Sequence, residues 1–211
     1  RWLRGFSRFY FNIADNLQFR YGDQILANSD QMVDLARSLG ARNVEVMGTL
    51  LPPGALKRAT PPREQVEHVL FAGRLAPEKR VQLIVDAARA LPGIQFTIAG
   101  EGPLKDEIDL QATTMPNLRT LGGVSRQELL HAMNAADILV LPSTVESFGT
   151  VALEAMARQR LALVSKNCGI VDWPNLAEHI FQIGDDENVT TALQRIAALE
   201  PRQRRATAAA G

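Results

Sequence analysis

Short apolar runs alternate with longer amphipathic stretches through most of this chain. The runs are 68–73 (HVLFAG), 94–100 (IQFTIAG), 117–122 (NLRTLG), 137–143 (DILVLPS), 161–165 (LALVS) and 179–183 (HIFQI). Between them, apolar residues recur at helical spacing in 80–91, 104–114, 126–136, 150–159 and 188–199. Continuous apolar strands that alternate with helices predict a parallel sheet covered on both faces. The predicted class is α/β, a doubly wound, Rossmann-like sheet. Upstream, DQILANSD (23–30) reads as a strand running into an N-capped helix over 30–39, which Gly40 ends, and VEVMG (44–48) reads as another strand. Residues 49–65 hold four prolines and one glycine without periodicity, so they read as a linker. The expected organisation is a remnant of one Rossmann-like domain over 1–50, a linker over 51–66 and a main domain over 67–211.

Composition narrows the function classes. The chain has 211 residues and a formal net charge of zero, with no acidic or basic tail, which argues against nucleic-acid binding by bulk electrostatics. A single cysteine, Cys168, excludes a disulfide framework and a cysteine-rich metal site; a reducing, cytoplasmic setting is the simplest expectation. No run approaches the roughly 18 apolar residues that span a bilayer. Seven of the twelve aromatic residues fall in the first 21 positions. There Trp2, Phe6, Phe9, Tyr10, Ile13 and Leu17 recur at helical spacing among arginines. Such a face can lie in a membrane interface, but packing against a sheet is the preferred reading. The chain begins at Arg1 and stops in RRATAAAG, which suggests a piece of a longer protein.

The candidate chemistry sits at the carboxyl ends of the predicted strands, where open α/β sheets bind ligands. In ESFGTVALEAMA (146–157), Glu146 follows a strand and a Pro-Ser turn, and Glu154 lies in a helix that Thr150 is expected to cap. That helix is apolar almost all round, so an ionised Glu154 needs a partner, and the paired hydroxyls of a ribose would serve. AGRLAPEKR supplies Gly73, Arg74 and Lys79 at another strand end. A planar guanidinium and an ammonium together suit a diphosphate. Gly100 and Gly102 let backbone approach a ligand or simply make a turn, and the helix opening at Gly149 and Thr150 offers free amides to phosphate. There is no GxxxxGK[ST] or GxGxxG run. His68, His131 and His179 are scattered, Asp185, Asp186 and Glu187 read as a solvated turn, and no metal site is expected. Cys168 has no base beside it and is not expected to be a nucleophile.

AGRLAPEK, AGEGP, LPSTVESFG and the two glutamates eight positions apart resemble the donor domain of retaining GT-B glycosyltransferases, nearest to their large family 4. The resemblance covers essentially the whole chain. It implies a GT-B type nucleotide-sugar domain and the end of the acceptor-side domain. The implied activity is sugar transfer from a UDP- or GDP-linked donor, with retention and without a metal or other cofactor. Acceptors of that family are glycans, lipids or small molecules, with peripheral membrane contact through the other domain. Arg74 and Lys79 would bind the diphosphate, and Glu146 would contact the donor sugar. Phe148, Gly149 and Thr150 would bring backbone near sugar and phosphate, Glu154 would bind the ribose, and backbone near Gly122–Val124 would meet the base. The departures are Gln159 and Leu161, where a glycine and a proline are usual, and Cys168 and Val171 in place of a glycine and a proline. An inactive nucleotide-sugar-binding relative and a GT-B type nucleotide-sugar epimerase are the alternative readings. The 211-residue chain alone is expected to be inactive.

Overall fold

The computed structural model describes residues 19–51 and 63–210 and divides into two units, Arg1–Leu50 and Leu51–Gly211. The aromatic face of residues 2–17 and most of the proline-rich linker lie outside the described residues.

In the first unit, β1 (Ile25–Ala27) and β2 (Val44–Val46) pair in parallel, joined by α1 (Asp30–Ser38). Ser29 caps the helix, accepting from the Met32 amide at 3.3 Å, and the hydroxyl is buried. Gly40 takes φ +99°, the left-handed turn that follows a helix end, and the helix packs Val33 and Ala36 inward.

The second unit is a six-stranded, all-parallel sheet. Its strands are β3 (His68–Ala72), β4 (Gln95–Ala99), β5 (Leu118–Gly122), β6 (Ile138–Leu141), β7 (Leu161–Val164) and β8 (Phe181–Gln182), in the order β5-β4-β3-β6-β7-β8. The chain winds outward from β3 to β5, then returns to the centre and winds the other way. Strand alternation separates two cores. Val69, Phe71, Phe96, Ile98, Ile138 and Val140 face α2 (Gln82–Ala90) and α3 (Lys105–Ala112), with α7 (Val189–Ala197) on the same side. Leu70, Ala72, Leu139 and Leu141 face α4 (Arg126–Ala135) and α5 (Thr150–Met156). Each fully buried large side chain contributes about 1.5–3 kcal/mol, and the strands bury apolar residues on both faces because helices cover both.

Several boundaries differ from the sequence reading. The 80–91 helix starts at Gln82, after a 3₁₀ turn over Pro77–Lys79 that Arg80 closes at φ +50°. Only Phe181–Gln182 of 179–183 pairs with β7, because His179 and Ile180 close the turn of α6 (Pro174–Ala177). That short helix and the 3₁₀ turn over Gly169–Asp172 carry too few residues for a periodic signal. A last helix, α8 (Pro201–Ala210), packs Ala208 into the first core. Thr150 is not the cap of α5: Gly149 is, at φ +87°, and a Cβ there would stand 2.6 Å from the Cys168 Sγ.

The end of α5 answers the missing glycine. Gln159 itself adopts the left-handed conformation, φ +57°, and the Arg160 amide reaches back to the Ala155 carbonyl at 2.9 Å. Arg160 is buried and donates to the carbonyls of Arg158 and Ala136, at 3.2 and 3.1 Å, and burial draws its guanidinium below its ordinary pKa. It therefore ties the end of α5 to the end of α4.

Candidate functional site

Strands β4, β3 and β6 lie side by side, so their carboxyl ends bring together segments far apart in sequence. The return of the chain from β5 to β6 sends the following helices to opposite faces, which opens a crevice at the strand ends. A cleft of about 420 Å³ occupies it, lined by Gly73, Arg74, Gly100, Glu101, Gly123, Val124, Arg126, Thr150 and Glu154 with four apolar neighbours.

On the β3–β4 side the walls are backbone. The Gly73 amide donates to the Ala99 carbonyl at 3.0 Å, and the Leu75 amide to the Glu101 carbonyl at 2.8 Å. A Cβ on Gly100 would fall 1.8 Å from the Gly73 carbonyl oxygen, and one on Gly102 2.4 Å from that of Leu75. These glycines are required by the close approach of two backbone segments, at φ +148° and +156°. Of the residues singled out in the sequence, Lys79, Gly102, Gly122, Glu146, Phe148 and Gly149 are not among the cleft-lining residues. Arg74 is exposed, and its guanidinium makes no hydrogen bond or ion pair among the described residues.

Glu154 is 5% exposed. Its partner is Arg126, whose Nη1 donates to Oε2 at 2.7 Å. The sequence reading left Arg126 unnamed. It is the first residue of α4, behind a capping box in which Ser125 accepts from the Glu128 amide and Glu128 from the Ser125 amide. A cation at a helix N-terminus opposes the helix dipole, so its pairing with Glu154 offsets a cost. That misplaced charge was the available signal in the sequence.

Glu146 and Lys79 meet beside the cleft, Nζ to Oε2 at 2.5 Å, both mostly covered, and Ser143 Oγ stands 3.4 Å from the same oxygen. The loop bearing Glu146 is held by backbone: its amide donates to the Asn167 carbonyl at 3.1 Å, and its carbonyl accepts from the Gly169 amide at 2.9 Å. Phe148 is buried, with its ring edge-on to Trp173 at 6.2 Å between centroids. Its carbonyl accepts from the Ile170 amide at 2.8 Å and from Cys168 Sγ at 3.3 Å, so this group is committed inside the protein. Burial pushes the Cys168 thiol up to about 12, which makes it an inert packing group under Gly149. Among the described residues no three His, Cys, Asp or Glu side chains form a group able to hold a metal.

A larger concavity, about 790 Å³, lies on one face of the sheet beside α4, lined by His68, Thr97, Arg119, Leu121 and His131 among others. It contains neither Arg74 nor Glu154, which both line the smaller cleft, and lies along the strands rather than at their carboxyl ends. We take the smaller cleft as the site because the charged and glycine-rich strand ends converge there.

The class the structure defines is a doubly wound, parallel α/β domain with cations, bare backbone and carboxylates at its central strand ends. Residues 55–210 match the family model described as glycosyl transferases group 1, and the chain belongs to that family. Relatives include the sulfoquinovosyl transferase SQD2 of Arabidopsis thaliana, 32% identical over 133 residues (61% of this chain, 26% of that protein). The glycogen synthase of Mycobacterium tuberculosis is 34% identical over 163 residues (69% of this chain, 39% of that protein). Among solved structures, Anabaena HepE in complex with UDP and glucose has a TM-score of 0.73 at 21% identity, covering 94% of this chain and 59% of that one. Sucrose-phosphate synthase from Thermosynechococcus elongatus has a TM-score of 0.77 at 22% identity, covering 94% and 55%. The fold is thus GT-B type, and the chain spans between about a quarter and three fifths of the length of these relatives. No helix among the described residues is long and apolar enough to cross a membrane.

Proposed function

We propose that this chain binds the donor of a glycosyltransferase, a nucleotide diphosphate sugar, in the cleft at the ends of β3, β4 and β6. The observation that carries this reading is the juxtaposition, in one 420 Å³ cleft, of an exposed arginine and a buried carboxylate. Arg74 and the neighbouring Lys79 supply positive charge for a diphosphate, and Glu154 supplies an acceptor for ribose hydroxyls. Glu146 stands beside Lys79 where the sugar would lie, and its loop positions Gly149 and Thr150. Cations fixed next to a departing diphosphate stabilise the negative charge that develops there, which is electrostatic catalysis. In this reading 67–211 is the donor domain, 1–50 the end of the acceptor-side domain, and the whole protein works in the cytoplasm, with UDP or GDP as the carrier. Transfer proceeds with retention and without a metal, Arg74 and Lys79 taking the place a divalent cation would fill. Two-domain transfer depends on holding donor and acceptor in near-attack geometry, so the 211-residue chain by itself turns over no donor.

Calorimetric titration tests this. Arg74→Ala and Lys79→Ala should each weaken UDP or GDP binding by about tenfold or more and leave nucleoside binding unchanged. Glu154→Gln should weaken the ribonucleotide more than its 2′-deoxy form, and EDTA should change nothing. Equal loss for nucleoside and diphosphate, or a strict need for magnesium or manganese, would overturn the assignment.

A further inference from the structure

The glycine-rich turn after β4 draws attention to its glycines, but the residue between them joins three strand ends. The Glu101 carbonyl accepts from the Leu75 amide at 2.8 Å, which ties it to the segment bearing Arg74. Its side chain crosses the other way, and Oε1 accepts from the Gly123 amide at 2.7 Å. Next to that contact the Gly100 amide donates to the Gly122 carbonyl at 2.8 Å. Two consecutive residues of the Gly122–Val124 loop are therefore fixed from one turn, one through backbone and one through a carboxylate. Gly123 is exposed, and water could satisfy its amide, so the carboxylate is not needed to cancel an unpaired buried donor. What it supplies is position. Gly122, at φ +65°, and Gly123 have no side chains to hold the loop themselves. The nearby cation, Lys105, is paired with Asp109 and lies within the field of Glu101 without replacing it.

We propose that Glu101 is a positioning residue for base recognition: its carboxylate holds the Gly122–Val124 loop at the cleft wall in the geometry that meets the nucleotide base. The inference rests on the donor-site reading above: with the diphosphate at Arg74 and the ribose at Glu154, Gly123 and Val124 are the remaining backbone wall of the same cleft and are left to meet the base. Gly100 and Gly102 make this possible, because a turn packed against Gly73 and Leu75 cannot drift while Glu101 reaches across. The carboxylate acts on the base through Gly123 and makes no contact with reacting atoms.

The experiment compares the wild-type chain with Glu101→Ala and Glu101→Gln, titrated with UMP, GMP and ribose 5-phosphate, which lacks only the base. The Gly123 amide is followed by hydrogen exchange without ligand. In Glu101→Ala the preference for the better mononucleotide over ribose 5-phosphate should fall about tenfold, with ribose 5-phosphate affinity unchanged and the Gly123 amide exchanging faster. Glu101→Gln keeps an acceptor oxygen for the amide and should restore both readouts. Unchanged base preference in Glu101→Ala, equal weakening of all three ligands, or Glu101→Gln behaving as Glu101→Ala would overturn the proposal. A wild-type chain that binds neither UDP nor GDP overturns the donor-site reading and this inference with it, whereas wild-type binding with an unaffected Glu101→Ala overturns the inference alone.

Discussion

Glu146 and Glu154 come from one short run of sequence, yet their surroundings differ. Glu154 sits in a helix, nearly buried, and its cation reaches in from α4 with its own side chain 41% exposed. Glu146 sits in a backbone-tied loop, and its cation is more covered than Arg126: the Lys79 side chain is 21% exposed and that of Glu146 17%. One carboxylate is rigid with a half-exposed partner, and the other is part of a pair that is covered on both sides. Arg126 can leave Glu154 for solvent at modest cost, so Glu154 is the carboxylate whose partner a ligand can replace. Lys79 and Glu146 constrain each other.

The residue between the two glutamates gives the sharpest way to break this comparison. Gly149→Ala combines a positive φ with a Cβ 2.6 Å from the Cys168 Sγ, and should cost about 3 kcal/mol in denaturant unfolding. Gly73→Ala, whose Cβ meets only Phe71 at 3.6 Å, should stay within about 0.5 kcal/mol. If the two variants are alike, the hinge between the glutamates is not strained.

The pairs themselves come next. Arg126→Ala strands the buried Glu154 carboxylate and should cost about 1–2 kcal/mol, less than a fully buried pair because the arginine is solvated. Glu154→Gln in the same chain should recover most of it. Lys79→Ala should cost less, about 1 kcal/mol or below, since Glu146 keeps the Ser143 hydroxyl nearby and more contact with water. A reversed ranking by thermal or denaturant unfolding would invert the assignment of which pair holds the fold.

At the far end of the Glu154 helix, Gln159→Gly should stabilise the chain by about 0.5–1 kcal/mol, because glycine adopts the left-handed turn without a Cβ penalty. Destabilisation would mean that the Gln159 side chain makes a contact worth more than its strain. The smallest effect is on Cys168. With its thiol pushed up to about 12 by burial, the native chain should resist alkylation at about pH 8 under conditions that modify the unfolded chain fully. Prompt native labelling would show that the Gly149 loop opens.

Much of this was legible from residue patterns. The alternation of apolar strands and helices is a local, periodic signal, and it foretold a parallel sheet with both faces covered. Glu154 was recognisable as a carboxylate in need of a partner because a charge in an apolar helix contradicts its surroundings, and the structure gives it Arg126. The helix start was read correctly at Thr150 but its cap was misplaced by one residue because a threonine looks like a cap, whereas Gly149 is required by the closeness of Cys168, a contact 19 residues away in sequence. Arg126 and Glu101 went unnoticed for a related reason. Glu101 is an ordinary surface residue in its own turn, Arg126 shows only as a cation at the wrong end of its helix, and only the fold gives either one its partner.

The sequence by itself determined the layers, the strand and helix order and the family, because these follow from periodicity and from motifs confined to a few neighbouring positions. Tertiary structure decided which charges meet. Lys79 reaches Glu146 across 67 residues, Arg126 reaches Glu154 across 28, and Glu101 reaches Gly123 across 22. Those distances close only in the strand order β5-β4-β3-β6, and side-chain pairing of that range depends on strand order rather than on anything a single segment encodes.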